Sequence, residues 1–228
     1  MWSLLKLARP GSIFPGILLL AIFIPKHAHA ADWTTWETVR PDTKAADAKF
    51  SPDGTLRILF TEESSASTSA PLKLKLAKFN KGRFTFSDLA QLGPTGAEGL
   101  NQDVRLIGDH RTMWAVWRRT PTTGDAVLHA AKIYPTPASL NIETIQSGAT
   151  TRFFDAAMGS DGQPRVAFIN PDARSVTVTR RTPAGTWQKK PSLQVTPGVE
   201  MVYPDLALAT RTDQLALVVT TVETGPPE

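Results

Sequence analysis

An aspartate followed by a tight turn and then an apolar strand recurs at Asp47, Asp103, Asp155 and Asp205, at intervals of 56, 52 and 50 residues. In the first copy the turn is Ser51-Pro52-Asp53-Gly54 and the strand is Leu56-Arg57-Ile58-Leu59-Phe60. In the third the turn is Ser160-Asp161-Gly162, leading into Arg165-Val166-Ala167-Phe168. The second copy ends in Met113-Trp114-Ala115-Val116-Trp117, and the fourth in Leu215-Ala216-Leu217-Val218 after Arg211-Thr212-Asp213. A β-rich unit repeating at about 50 residues is the signature of a propeller; helical solenoids run shorter and carry helical periodicity.

Within each unit the hydrophobic pattern alternates with period 2. Leu72-Lys73-Leu74-Lys75-Leu76-Ala77-Lys78-Phe79 sets leucines on one face and lysines mostly on the other, and Asn80-Lys81-Gly82 turns the chain into Arg83-Phe84-Thr85-Phe86. The third copy repeats the arrangement, with Ser175 to Thr179, a turn at Pro183-Ala184-Gly185, and Thr186-Trp187-Gln188. Val127 to Ile133 and Leu140 to Ile145 occupy the same places in the second. Each unit therefore reads as four antiparallel strands, the make-up of a propeller blade. The fold class is all-β, a β-propeller with blades at 45–93, 101–147, 153–196 and 203–228.

The last copy stops after its second strand. With Trp33 to Val39 as a closing outer strand over 32–40, the count falls one short of the sixteen strands of a closed four-bladed ring. The expectation is about three and a half blades of an incomplete propeller. The alternative is a compact four-bladed ring lacking one strand. Its unfilled edge would offer unpaired backbone groups for self-association.

Residues 1–30 have the form of a secretory signal peptide: Lys6 and Arg9, an apolar run from Ile17 to Ile24, and Ala28-His29-Ala30 as the cleavage pattern. The expected domain is 31–228, periplasmic or secreted, with no membrane association after cleavage. The whole chain has 25 basic and 21 acidic residues, but Lys6, Arg9 and Lys26 lie in the leader, which leaves the remainder near neutrality. That balance gives no basic face for nucleic acid. The pairs Arg118-Arg119, Arg180-Arg181 and Lys189-Lys190 read as solvated strand ends. With no cysteine, disulfides and thiolate chemistry are excluded.

Little else carries chemistry. His110 and His129 lack a second ligand at zinc spacing, and neither a Gly-x-Ser-x-Gly elbow nor a phosphate-cradling glycine loop is present. No cofactor and no catalytic residue is expected. The candidate ligand-binding residues are Asp47, Asp103, Asp155 and Asp205. In propellers the first strand of a blade lines the central channel, so these carboxylates would form a ring facing a ligand. The competing reading makes them structural, tying adjacent loops together by accepting backbone N–H bonds. Trp114, Trp117, Trp187, Phe60 and Phe168 sit at matched places and read as inter-blade core.

The run from Phe50 to Phe60 resembles repeats of the exported Tol-type propellers and, more loosely, WD-repeat blades. Tyr203-Pro204-Asp205-Leu206-Ala207-Leu208 resembles sialidase-like propeller proteins. The second resemblance implies an arginine triad, a Tyr-Glu pair and Ser-x-Asp-x-Gly-x-x-Trp boxes. Thr182 to Trp187 lacks the box aspartate and shifts its glycine, so no catalytic residue is carried over. Two functions follow: an exported, noncatalytic module binding a protein or glycan ligand, or a fragment of a sialidase-like glycan-processing enzyme.

Overall fold

The computed structural model describes residues 19–20, 37–38, 43–63, 71–80, 83–94, 104–119, 126–136, 139–146, 154–170, 175–194, 199–209 and 214–223, with 19–20, 37–38, 43–45, 63, 71–72, 80, 91–94, 199–209 and 214–223 described by backbone alone. The chain divides into two units, residues 1–43 and 44–228. In the first, β1 (Leu19–Leu20) pairs antiparallel with β2 (Glu37–Thr38). The segment expected as a closing strand is described only there, where its partner is β1. The rest of the leader, the loop at 64–70, Asp103 and the tail at 224–228 lie outside the described residues.

Among its described residues the second unit consists of β-strands and their connecting turns. Blade 1 is β3 (Thr43–Phe50), β4 (Leu56–Glu63), β5 (Pro71–Asn80) and β6 (Arg83–Pro94). Blade 2 is β7 (Val104–Gly108), β8 (Met113–Arg119), β9 (Val127–Tyr134) and β10 (Ile142–Gln146). Blade 3 is β11 (Phe154–Met158), β12 (Pro164–Ile169) and β13 (Ser175–Arg181), with the fourth place shared by β14 (Trp187–Lys189) and β15 (Leu193–Gln194), both on β13. A fourth blade is present as the hairpin of β16 (Val199–Ala209) and β17 (Gln214–Glu223). Each full blade is a four-place antiparallel meander, as the alternating pattern requires.

Turn chemistry sets the strand ends. In Ser51 to Thr55, Gly54 N–H donates to Ser51 O at 2.8 Å and Ser51 N–H to Thr55 O at 2.9 Å, with Gly54 at φ 77°. That conformation is open to glycine and strained for other residues. Gly159 to Gln163 and Thr182 to Thr186 close in the same way, with Gly162 and Gly185 at φ 71° and 85°. Blade 2 has no glycine here. That turn is one residue shorter, with Asp109 N–H donating to Thr112 O at 3.0 Å, and Asp109 Oδ1 accepts the N–H groups of Arg111 (2.8 Å) and Thr112 (2.7 Å), a side-chain bond that Asp53 and Asp161 also make in the glycine turns.

The core consists of two layers between blades. Leu59, Leu74 and Leu76 of blade 1 meet Leu106, Met113, Ala115 and Trp117 of blade 2. On its other face blade 2 sets Trp114, Val116, Leu128 and Ala130 against Phe154, Val166 and Phe168 of blade 3, with Trp187 packed alongside. Successive residues of β8 thus point into different layers, which is why Met113 to Arg118 is buried without a break. Of the aromatic residues at matched places, Trp114, Trp117 and Phe168 form inter-blade core, with half-buried Trp187 packed alongside; Phe60 is fully buried but belongs to neither layer and meets Phe86 of its own blade edge to face at 6.2 Å.

The basic pairs divide. Lys189 and Lys190 are exposed, as is Arg119, but Arg118 is buried at 5% exposure and Arg181 is half-buried in an ion pair with Glu143. Adjacent strand residues face opposite ways, so a dibasic pair beside a blade interface sends one member inward.

Trp117 is 1% exposed at the centre of the first layer. Trp117→Ala is expected to cost about 3–5 kcal/mol, as for large buried aromatics, read as a lower midpoint in chemical denaturation. Leu193→Ala, at an exposed position, is expected to change stability by less than about 0.5 kcal/mol.

Candidate functional site

The first strands of blades 2, 3 and 4 lie side by side, β7 beside β11 and β11 beside β16, and β7 is also close to β4 of blade 1. Between them is a cleft of about 360 Å³. Its polar lining is Asp47 and Lys49 from β3, Arg105 from β7 and Asp155 from β11, and its apolar wall includes Leu106, Ile107 and Met158.

Two of the four sequence-derived aspartates meet here. Asp47 Oδ2 accepts the N–H of Leu106, on the next blade, at 2.6 Å, and its Oδ1 accepts the N–H of Ala48 at 2.9 Å. Asp155 Oδ1 accepts Arg105 Nε at 2.8 Å, and Arg105 Nη1 also donates to Val104 O at 3.0 Å. Asp103 lies outside the described residues. Asp205 is placed by backbone alone, in β16 opposite Val218.

The second copy requires a correction of register. Asp47 stands four residues before Ser51, and Asp155 four before Gly159, the residues whose N–H groups close the first turn of their blades. The corresponding residue in blade 2 is Asp109, whose N–H donates to Thr112 O at 3.0 Å. Four residues before it is Arg105, not Asp103. The ladder agrees: Arg105 lies opposite Val116 and Asp155 opposite Ala167. Along the inner strands the charges therefore run Asp47, Arg105, Asp155. Like charges at adjacent places would repel; the alternating order lets Arg105 bridge to its neighbour.

The surroundings of the carboxyls differ. Burial, the largest influence, pushes the Asp47 carboxyl above the usual carboxylate range, and the Leu106 N–H bond and the Arg105 charge pull it back only in part. Asp155 is held by the guanidinium directly, and that guanidinium also lies over the Phe154 ring at 5.8 Å. His110 and His129 stand apart from the cleft. His110 is exposed in the blade 2 turn. His129 packs against Trp117 at 5.6 Å between ring centres, and burial, then the Arg119 charge, hold its pKa low. Among the described residues no group of three or more His, Asp or Glu side chains is placed to hold a metal ion.

A second feature joining neighbouring blades was not legible in the sequence. The second residue of β4, Arg57, lies over the Tyr134 ring of blade 2 at 5.2 Å, and Arg181 of blade 3 lies over the Trp114 ring of blade 2 at 4.8 Å. Trp114 is the second residue of β8, so cation and ring have exchanged places between the two interfaces. The residues at matching places share neither charge nor shape, so comparison of the copies by residue type does not align them.

No protein-family profile matches the chain, and no curated protein sequence matches it. Among solved structures it is similar to an α-L-arabinanase from Penicillium chrysogenum complexed with arabinobiose. The TM-score is 0.51 and the identity 13%, over 91% of this chain and 67% of that one. A xylan β-1,4-xylosidase from Bacillus halodurans gives a TM-score of 0.47 and 12% identity, over 86% of this chain and 44% of that one. At this identity the arabinanase likeness speaks for the propeller fold alone. It does not support the narrower resemblance to sialidase-like or Tol-type propellers.

Substitutions at Asp47 separate its hydrogen bond from its charge. Folding raises this carboxyl's pKa, so its contribution is most favourable below the unfolded pKa and declines as pH rises through the folded one. Asp47→Asn keeps an acceptor for Leu106 and removes the buried charge. It is expected to match the parent near pH 3 and to equal or exceed it at pH 7 in urea denaturation. Asp47→Ala leaves the Leu106 N–H without its acceptor and is expected to cost roughly 1–3 kcal/mol at both pH values. Equal losses for the two substitutions would contradict this role.

Proposed function

We propose that the protein is an exported, noncatalytic propeller module that binds a polar ligand of low net charge, a glycan or peptide chain, at the inner cleft. The observation that carries this reading is the engagement of both carboxyls. Asp47 accepts from Leu106 and Ala48, and Asp155 accepts from Arg105, so each helps join neighbouring blades. Glycoside hydrolysis asks one carboxyl to protonate the leaving oxygen and a second to attack or to activate water, both facing the substrate. Two acids and two bases line the cleft beside an apolar wall, a set suited to a neutral chain with many hydroxyl or amide groups. Export is part of the proposal and rests on the basic, apolar start of residues 1–30.

One observation favours a second reading, a glycan-processing enzyme or a part of one. Asp47 and Asp155 share a cleft but differ in environment: one carboxyl is pushed up by burial and the other is paired with a guanidinium. Unlike surroundings for two acids in one site are how acid and base roles are divided. The arabinanase of similar fold acts on arabinan by name, which selects that substrate for the test, with xylan as a comparison.

The test is a glycan array together with hydrolysis assays on arabinan and xylan oligosaccharides, using the parent protein and its Asp47→Asn and Asp155→Asn forms. Saturable binding without hydrolysis is expected, weakened by either substitution while the fold is retained by circular dichroism. Hydrolysis by the parent that falls about a thousandfold or more in either variant, the scale of losing a catalytic acid or base, would overturn the noncatalytic reading.

A further inference from the structure

A second cleft, of about 280 Å³, lies between blades 2 and 3 at the end that carries the first turns. Its lining includes Trp114, Lys132, Asn141, Glu143, Gln163 and Arg181. Most of these side chains are already locked together. Arg181 Nε donates to both Glu143 oxygens (3.1 and 2.8 Å), its Nη2 donates to Oε1 (2.8 Å), and its Nη1 donates to Gln163 Oε1 (3.0 Å). Trp187 Nε1 donates to Glu143 Oε2 at 3.0 Å. The Glu143 carboxylate is thus spent on the protein's own donors, and the wall it forms is rigid before any ligand arrives.

Lys132 is left over. It is half-buried, it lies opposite Trp114 in the β8–β9 ladder, and among the described residues it has no ion-pair partner. The repeat shows what this place ordinarily has. The equivalent third-strand residues are Lys78, opposite Arg57, and Arg180, opposite Arg165. In both of those blades the first turn supplies a carboxylate to the basic pair: Asp53 lies 3.7 Å from Arg57, and Asp161 lies 3.8 Å from Arg165. Asp53 acts on the Lys78 charge as well.

Blade 2 has lost that carboxylate. Its turn is one residue shorter, and its aspartate, Asp109, bonds its own loop through Oδ1, as Asp53 and Asp161 also do, but it makes no ion pair with Lys132; its Oδ2 lies beside Gly162 at the edge of the cleft. Tryptophan replaces the arginine, so one basic residue remains where the other blades have a basic pair and its counterion. The Trp114 indole N–H is also a buried donor without an acceptor. The groups that face the cleft without a protein partner among the described residues are Lys132 and the exposed Asn141 amide; the Trp114 N–H is sealed within the wall and out of a ligand's reach.

We propose that this cleft binds a small carboxylate, with the carboxylate group seated on Lys132 beside Asn141 in the place that the turn aspartates fill in blades 1 and 3. The volume falls just below the usual range of ligand pockets, enough for one acidic sugar or an organic acid of similar size and too small for a chain. The site is separate from the inner cleft and does not rest on the function proposed there.

Isothermal titration of the full-length protein with galacturonate, glucuronate, succinate and neutral galactose tests this. At least one acid is expected to bind with a stoichiometry of one, and galactose at least tenfold more weakly. Preference for the sugar acids over succinate would identify the source as a uronic acid, and equal binding would identify it as an organic acid. Lys132→Gln is expected to weaken binding about ten- to a hundredfold, the scale of a charge-assisted hydrogen bond. Lys132→Arg is expected to retain most of it, and Asp47→Asn all of it. The proposal fails if no acid binds saturably, if galactose binds as well as the acids, or if Lys132→Gln melts like the parent and binds undiminished.

Discussion

Burial of the second strand of a blade from both sides is the constraint on which the rest of this structure depends. A four-stranded sheet has two apolar faces and can satisfy neither alone, so blades are stable only as a stack. In blade 2 the consequence is visible residue by residue: Met113, Ala115 and Trp117 belong to one layer, Trp114 and Val116 to the next. Since both layers must be dry, polar groups brought into them need partners from the neighbouring blade. The charged residues that attract functional interest are placed where that requirement falls.

The inter-blade ties follow from this. Asp47 reaches Leu106 and Arg105 reaches Asp155 along the inner strands, while Arg57 covers Tyr134 and Arg181 covers Trp114 farther out. A cation over an aromatic ring contributes on the order of 0.5–2 kcal/mol. Both orders of cation and ring serve, because the attraction depends on the pair and not on which blade supplies which member. The repeat conserves the contact while exchanging the residues.

That exchange limits what could be read from the chain. Turns were legible where local chemistry fixes them: Pro52-Asp53-Gly54, Asp161-Gly162 and Pro183-Ala184-Gly185 each place glycine at positive φ and set the strand ends. The strands were legible because half-buried sheets alternate and interface strands do not. The inner position of blade 2 was not, since Asp103 gave a regular spacing and the correct residue, Arg105, carries the opposite charge. Counting back from the turn, a local backbone feature, finds it; counting by residue type does not. Arg118 and Arg181 were misplaced for a related reason. Side-chain direction in a strand depends on register, and charge alone does not reveal which member of a dibasic pair faces a neighbouring blade.

Departures from the repeat are therefore more informative about function than the repeat itself. A residue found at one place in every blade has a role that every blade needs, which is packing or register. Blade 2 departs twice, with Arg105 where its neighbours have aspartate and Trp114 where they have arginine, and a cleft lies beside each departure. The two substitutions act in opposite directions. Arg105 adds a cation that Asp155 immediately engages, so the inner cleft stays balanced. Trp114, with the shortened turn, removes a cation and a carboxylate together and leaves Lys132 without a counterion, which makes the outer cleft the place where a ligand's charge would count most.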